Sequence, residues 1–242
     1  MNKLVFGLIF VKISLFLTFS FLLFPACRSA ELAPRLTEPS VTPTPNDRVN
    51  RPVSDPYRGD LSIFEDPARE KNLQIGRVLD ILKIEQGKTA ADIGAGSGWF
   101  TVRAAQRVGE KGRVFAVEIN QDYLKHIEER AKREKLTNIQ TVLGTEDDPK
   151  LPAGAVDAVL ILKTYHEIAE PVKVMKNLLS ALRKNALVGI IDRNGTGADH
   201  GIEKETVIAE MRSAGFRLKD DYDFVKPDGM DYFLVFEIAP NY

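Results

Sequence analysis

Three glycines at alternate positions are the strongest sign of chemistry in this 242-residue chain. Gly94, Gly96 and Gly98 lie in the run K-T-A-A-D-I-G-A-G-S-G-W-F, residues 88–100. Glycine permits positive φ and lets a ligand touch the backbone, because no Cβ intervenes. A strand over residues 89–93 leads into this loop and a helix begins near Trp99, so free N–H groups face the loop. The pattern predicts a ligand-binding turn, and a plain strand-to-helix turn is the alternative.

An acid close to the loop indicates the charge of that ligand. Asp92 stands two residues before the first glycine. A dinucleotide loop, G-x-G-x-x-G, would need a glycine where this chain has Trp99, and its pyrophosphate would be repelled by the carboxylate. A carboxylate suits an ammonium group instead. The spacing therefore favours a cationic amino-acid ligand and leaves a nicotinamide-dependent dehydrogenase as a weak alternative.

A second acid ends the next predicted strand. Glu118 closes the apolar run of residues 113–118, about twenty residues after the loop, where nucleotide-binding folds place an acid for the ribose hydroxyls. Each hydrogen bond to a charged group contributes roughly 1.5–3 kcal/mol. We interpret Glu118 as a ribose ligand; a surface glutamate at a strand end is the alternative.

Two later strand ends carry further polar side chains. The continuous apolar run of residues 156–162 is typical of a strand buried on both faces of a parallel sheet, and K-T-Y-H-E follows it. Ligands of such sheets lie beyond the carboxyl ends of the strands. Tyr165, His166 and Glu167 are therefore candidates for substrate contact, with Tyr165 or His166 as a base. A helix-capping role for His166 is the alternative. The next rim loop adds the candidates Asp192, Arg193 and His200.

The remaining pattern alternates strands and helices, which is typical of an α/β fold with a mostly parallel sheet. Residues 57–69 are expected to close over the site, where Arg69 either contacts the ligand or lies on a solvated helix face. A K-P-D-G turn joins the last two strands into an antiparallel hairpin. The predicted helices are residues 66–82, 99–108, 122–134, 168–182 and 203–214, and the predicted strands are 89–93, 113–118, 139–143, 156–162, 187–192, 216–224 and 230–238.

The N-terminal part has a different character. Lys3 precedes an apolar run over residues 4–24, which predicts a signal peptide or membrane anchor in residues 1–28. Cys27, in F-P-A-C, resembles a bacterial lipobox; ordinary cleavage near Ala30, an uncleaved anchor and a misplaced start codon remain open. Residues 29–60 are rich in proline and predict a disordered tether before a domain at 61–242. We expect an exported, membrane-associated bacterial protein, or a cytoplasmic one if the start is misplaced.

Residues 61–238 resemble the class I S-adenosylmethionine (SAM) methyltransferases, most closely a small bacterial group near the ubiquinone/menaquinone-biosynthesis type. The resemblance rests on A-D-I-G-A-G-S-G-W-F-T-V, L-G-T-E-D-D-P-K-L-P and Y-H-E. It implies a Rossmann-like seven-stranded fold with SAM as the cofactor. The catalytic candidates are Tyr165 and His166, and Asp147 is preferred for the adenine amino group, with Glu146 as a competitor. The implied cofactor-binding residues are Asp92, Gly94, Ala95, Gly96, Ser97, Gly98, Glu118, Ile119, Thr145, Glu146, Asp147 and Lys163.

Two functional hypotheses follow from the resemblance. The first is an enzyme that transfers a methyl group from SAM to a small-molecule acceptor by in-line displacement. The second is a membrane-anchored SAM-binding or interaction module without turnover, since SAM is made in the cytoplasm and the chain carries an export-like segment. The net charge of −1 does not suggest nucleic-acid binding, which would need a strongly basic face. No metal ligand set is recognised.

Overall fold

A seven-stranded sheet forms the centre of the computed structural model, which describes residues 51–196, 199–226 and 228–240. Its strand order is β3-β2-β1-β4-β5-β7-β6. Strands β1 to β5 are parallel, and β7 is antiparallel to both of its neighbours. The predicted α/β class, with a mostly parallel sheet and an antiparallel C-terminal hairpin, is confirmed. The strands are β1 (Thr89–Ile93), β2 (Arg113–Glu118), β3 (Ile139–Leu143), β4 (Val156–Leu162), β5 (Leu182–Arg193), β6 (Phe216–Tyr222) and β7 (Asp231–Ile238).

Helices cover both faces of this sheet. The helix predicted over residues 66–82 is divided in two, because Gln74 adopts a left-handed conformation with φ 46°. The helix predicted from residue 168 begins at Pro171, where the fixed φ of proline suits a first helical turn. The helices are α1 (Arg69–Leu73), α2 (Ile75–Ile81), α3 (Trp99–Val108), α4 (Gln121–Arg133), α5 (Pro171–Ala181) and α6 (Lys204–Ser213), with 3-10 turns at Leu61–Phe64 and Tyr165–Glu167.

The central strands are buried on both faces, as the apolar run in β4 predicts. Val159 and Ile161 pack into the core on one side, whereas Ala158 and Leu160 pack on the other. Strand β5 begins five residues earlier than predicted, because Leu182 pairs with Val156 before an irregularity in the register. Pairing of Ile93 with both Val117 and Ile161 brings the carboxyl ends of β1, β2 and β4 to one edge of the sheet.

The chain contacts the domain earlier than the predicted boundary at residue 61. Arg51 Nε forms an ion pair with Glu210 Oε1 at 2.8 Å. The Ser54 N–H donates to the His166 carbonyl at 3.3 Å, and Ser54 is buried. Residues 51–60 are therefore not a free tether. The predicted signal or anchor segment, Cys27 and most of the tether lie outside the described residues. In the part that is described, no helix is both long and apolar enough to cross a membrane.

Candidate functional site

A cavity of about 730 Å³ lies at the carboxyl edge of the sheet. The ends of β1, β2 and β4 contribute to its walls, and so do residues 53–57 and 63–64. The strand order reverses between β1 and β4: β2 and β3 lie on one side of this pair, and β5, β7 and β6 lie on the other. Open α/β sheets bind ligands at such a switch point. The volume is typical of a small-molecule site.

The glycine turn forms one wall of this cavity. Gly94, Gly96 and Gly98 have φ of 73°, 53° and 74°. A Cβ on Gly94 would lie 2.3 Å from Thr164 Cγ2, whereas one on Gly96 would meet nothing closer than Phe64 at 3.7 Å. Gly94, Ala95, Gly96 and Ser97 line the cavity; Gly98 is not among the described lining residues. Gly98 instead starts α3 and faces Ile127, so its predicted role as a cofactor ligand gives way to a role in helix packing.

Glu118 is held at the end of β2 by backbone donors. Its Oε2 accepts from Gly96 N–H at 3.0 Å, and its Oε1 accepts from Ile119 N–H at 2.8 Å and Asn120 N–H at 3.3 Å. The carboxylate lines the cavity together with the exposed side chain of Ile119. These contacts fix a half-buried negative charge beside the glycine turn, which is the placement predicted for a ribose ligand.

Asp92 and Arg69 both line the cavity together with the glycine turn. Asp92 is fully buried, and its Oδ2 accepts from Thr101 Oγ1 at 2.6 Å. Burial raises the pKa of Asp92 to about 7, against opposing effects of Thr101 and the Arg69 guanidinium. Arg69 lines the cavity, and its guanidinium carbon lies 4.7 Å from the centre of the Trp99 ring. The alternative of a solvated helix face for Arg69 is therefore wrong.

Of the three residues predicted to contact the adenine, all in the loop after β3, only two line the cavity. Thr145 and Glu146 line the cavity, whereas Asp147 stands outside the set of described lining residues. Lys173 Nζ lies 2.7 Å from Asp147 Oδ2, and Thr145 Oγ1 donates to Asp147 Oδ1 at 2.7 Å. The Lys173 ammonium, followed by the Thr145 hydroxyl, lowers the pKa of Asp147 to about 2. The preference for Asp147 over Glu146 is not supported, because the Asp147 carboxylate already has a surface partner.

His166 occupies the β4–β5 end of the cavity and is held by Asp192. Nδ1 of His166 lies 2.9 and 3.0 Å from the two Asp192 carboxylate oxygens. Asp192 is fully buried and also accepts from the backbone N–H groups of His166 and Arg193, at 3.1 and 2.8 Å. Because a carboxylate can only accept, Nδ1 carries the proton of this contact, and Nε2 is the ring nitrogen that Asp192 leaves free.

Glu167 and His200 flank His166 in the same cavity. Nε2 of His166 is 3.9 Å from Glu167 Oε1, and the two histidine rings meet edge to face with centroids 5.8 Å apart. Burial raises the pKa of Glu167 to about 7, against an opposing effect of His166. The structure thus brings together the candidates His166, Glu167 and His200, although His166 and His200 are more than thirty residues apart in the sequence.

Tyr165 does not fill the catalytic role predicted for it, whereas Lys163 is among the residues that line the cavity. Tyr165 is completely buried in the core and is not among the described residues that line the cavity. Burial, followed by the nearby Glu210 carboxylate, raises the pKa of Tyr165 well above its ordinary value, so the phenol is a core group and not a base. Lys163 reaches the cavity wall, but its Nζ lies 2.5 Å from Asp231 Oδ1.

A segment before α1 closes the cavity, as predicted for residues 57–69. Tyr123 Oη donates to the carbonyls of Tyr57 and Gly59, at 3.2 Å each. Ser97 Oγ donates to Glu65 Oε1 at 2.7 Å. Sequence analysis missed Tyr123, because its position on the apolar face of α4 is equally typical of a core residue.

Comparison with known proteins agrees with this geometry. Residues 90–185 match the family described as "Methyltransferase domain". Demethylmenaquinone methyltransferase from Geobacillus sp. (strain WCH70) is 24% identical over 142 residues, 59% of this chain and 55% of the relative. Nocamycin O-methyltransferase from Saccharothrix syringae is 32% identical over 83 residues, 34% of this chain and 30% of the relative. The chain therefore spans about half the length, or less, of these curated relatives.

Solved structures establish the fold. A SAM-dependent methyltransferase from Aquifex aeolicus has a TM-score of 0.68 at 24% identity, covering 75% of this chain and 100% of that one. Aeropyrum pernix fibrillarin, solved with natively bound SAM, has a TM-score of 0.50 at 16% identity, covering 64% of this chain and 68% of that one. The molecule has the class I methyltransferase fold. The family match covers residues 90–185, less than half of the chain, and the predicted cofactor, SAM, is the one bound in the fibrillarin structure.

Proposed function

We propose that this chain is a SAM-dependent methyltransferase that acts on a small molecule. The observation that carries the proposal is the Glu118 carboxylate, which three backbone N–H groups hold at the cavity wall beside the glycine turn. A carboxylate fixed in this way accepts hydrogen bonds from two vicinal hydroxyls, as a ribose offers. The family match supports a methyltransferase, and the relatives named for demethylmenaquinone and nocamycin support a small-molecule acceptor.

The side chains along the cavity fit the other parts of SAM. Asp92 and Arg69 offer opposite charges for the ammonium and carboxylate of the methionine part. Ile119, Thr145 and Glu146 offer an apolar surface and polar groups for the adenine. Gly96 leaves open the space that a Cβ would enter, so a ligand can approach the backbone there. We call the wall formed by the ends of β1 and β2 and the loop after β3 the cofactor side, and the wall formed by the residues after β4 together with His200 the acceptor side.

SAM supplies a methyl group on a positively charged sulfur, so the reaction needs little further activation. A bond forms between the acceptor atom and the methyl carbon while the carbon–sulfur bond breaks, and its electron pair returns to sulfur. The protein's task is to align the two partners, which supplies roughly 7–11 kcal/mol of a barrier. Where the acceptor carries a proton, Nε2 of His166 is placed to accept it, and Asp192 fixes the ring orientation.

Calorimetric titration of the full-length chain with SAM and S-adenosylhomocysteine tests the proposal. We expect binding that Glu118→Ala and Asp92→Ala weaken strongly. Glu110→Gln removes an exposed carboxylate that is not among the described residues lining the cavity and is the matched control. Unchanged SAM affinity in both Asp92→Ala and Gly96→Val would show that the site is wrongly assigned. Release of S-adenosylhomocysteine with cell extracts as acceptor source separates an enzyme from a binding module without turnover.

We also propose that residues 1–28 direct the chain to the membrane, as a lipoprotein or through an anchor. Lys3, the apolar run that follows it and Cys27 support this proposal from the sequence alone. Labelling of cells with palmitate tests the lipoprotein form, with Cys27→Ser as the control. Labelling that survives this substitution, or no labelling at all, excludes acylation at Cys27. Fractionation of the cells then decides between an anchored and a cytoplasmic protein.

A further inference from the structure

Two histidines and one carboxylate converge on the acceptor side of the cavity. His166, Glu167 and His200 each offer one ligand atom, and these atoms all lie within 4.8 Å of one another. All three residues line the same cavity, so they share one accessible space. Imidazole nitrogens and a carboxylate oxygen are donors that first-row transition metals prefer, whereas magnesium and calcium favour oxygen donors throughout.

The surroundings of His166 match those of a metal-binding histidine. Asp192 accepts from Nδ1 and thereby directs the Nε2 lone pair towards Glu167, 3.9 Å away. Metal-bound histidines almost always donate their second ring N–H to a carboxylate, carbonyl or water, and a carboxylate partner also makes the imidazole more basic. This carboxylate is fully buried and is fixed by two further N–H donors, so the ring orientation is set before any ion binds.

We propose that His166, Glu167 and His200 bind a divalent transition-metal ion of the zinc class at the acceptor side. Bonds of 2.0–2.1 Å to a tetrahedral ion would separate the ligand atoms by about 3.3 Å, so the 3.9 Å pair needs a small movement. His200 is exposed on a loop, and rotation of its side chain can bring it closer. With three protein ligands, the remaining position is open to the cavity, as in zinc sites that act on substrates.

The nearby charges favour a cation at this position. Glu118 and Glu167 line the same cavity, and the buried Asp192 carboxylate contacts His166. Burying like charges together is unfavourable, and a divalent cation bound to Glu167 would compensate for it. The same cation would explain why two polar histidine rings approach each other at the cavity surface.

The metal site narrows the acceptor class, and this step rests on the proposed function. An ion open to the cavity binds an acceptor through an oxygen atom and lowers the pKa of a bound hydroxyl, which then loses its proton without a protein base. We infer an acceptor with a hydroxyl or carboxylate oxygen at or next to the methylated atom. In this arrangement His166 is a metal ligand, and its role as the base is replaced.

Titration of the full-length Cys27→Ser chain with zinc, in detergent and after removal of bound metal, tests the site. The Cys27→Ser background removes the chain's single thiol, which would otherwise bind zinc. We expect one zinc ion per chain by calorimetry and a visible absorption band when cobalt replaces zinc. His200→Ala and Glu167→Gln should each remove binding, and Asp192→Asn should weaken it roughly 10–100-fold.

His126→Ala is the matched control, because this histidine lies on α4 and is not among the described residues that line the cavity. It should leave zinc binding unchanged. Absence of binding in the parent chain, or equal weakening by His126→Ala and His200→Ala, overturns the proposal, provided that circular dichroism shows folded protein. SAM titration of the same preparation separates the two proposals: SAM binding without zinc binding overturns the metal site alone, and zinc binding without SAM binding overturns the proposed function alone.

Discussion

Two carboxylates at strand ends are held by similar donors in different surroundings. Glu118 on the cofactor side accepts from three backbone N–H groups and remains half-buried at the cavity wall. Asp192 on the acceptor side accepts from two backbone N–H groups and the His166 ring, and it is fully buried. The first carboxylate keeps a face open to a ligand. The second acts through the histidine that it orients. The carboxylate on the cofactor side therefore serves to bind a ligand, and the one on the acceptor side serves to position a side chain.

The largest expected effect comes from removing the buried carboxylate. Asp192→Ala leaves three N–H donors without their acceptor in the core, at a cost of about 3–5 kcal/mol in the free energy of unfolding. Glu118→Ala should cost only about 1–2 kcal/mol, since water can reach its donors. Urea unfolding of both variants measures this difference. Equal losses would show that the two sides do not differ as described.

On the cofactor side, substitutions of Gly94 and Gly96 give a second comparison of stability. Gly94→Ala places a Cβ 2.3 Å from Thr164 at positive φ, so we expect a loss of about 2–4 kcal/mol from strain and overlap. Gly96→Ala has positive φ but open space, and should cost about 1–2 kcal/mol. Thermal unfolding measures the stability of both variants, and titration measures their affinity for SAM. Relative to its loss of stability, Gly96→Ala should lose more SAM affinity than Gly94→Ala. The reverse order would show that Gly96 does not face the ligand.

Each side also contains a carboxyl group with a pKa raised to about 7, Asp92 and Glu167. A raised carboxyl pKa means that the folded chain binds the proton more tightly than the unfolded chain. Stability is then highest at low pH and falls as the pH rises from about 4 to about 7. For Asp92 the slope approaches 1.4 kcal/mol per pH unit. Unfolding at pH values from 5 to 7 should show this slope, and Asp92→Asn should reduce it.

Binding of SAM, which carries an ammonium group, should distinguish the Asp92 carboxyl from the Glu167 carboxyl. If the SAM ammonium pairs with Asp92, binding near pH 6.5 releases a proton, which calorimetry detects in buffers of different ionisation enthalpy. Asp92→Asn should abolish this release, whereas Glu167→Gln should leave it. Proton release that disappears with Glu167→Gln instead would place the ligand's positive charge on the acceptor side.

The same division explains what the sequence could predict. The cofactor side depends on glycine conformations and on acids at strand ends, and these local features were enough to predict Asp92, Gly94, Gly96 and Glu118, which all line the cavity. The acceptor side depends on which way neighbouring side chains point. Tyr165 and His166 are adjacent, yet one lies in the core and the other faces the cavity. The break at Gln74 follows from a left-handed residue that helical periodicity does not reveal.

The smallest expected effect concerns the loop after β3. Glu146 lines the cavity and should contribute one hydrogen bond, so Glu146→Ala is expected to weaken SAM binding roughly two- to tenfold. Asp147→Ala should leave the affinity unchanged, because its carboxylate pairs with Lys173 at the surface. Titration of both variants with SAM decides between the neighbours. A larger loss in Asp147→Ala would mean that the ion pair opens when the ligand binds, and that the sequence-based preference for Asp147 describes the bound state. Since Lys173 lies on α5, such an opening would couple the cofactor side to the helix that follows the acceptor residues.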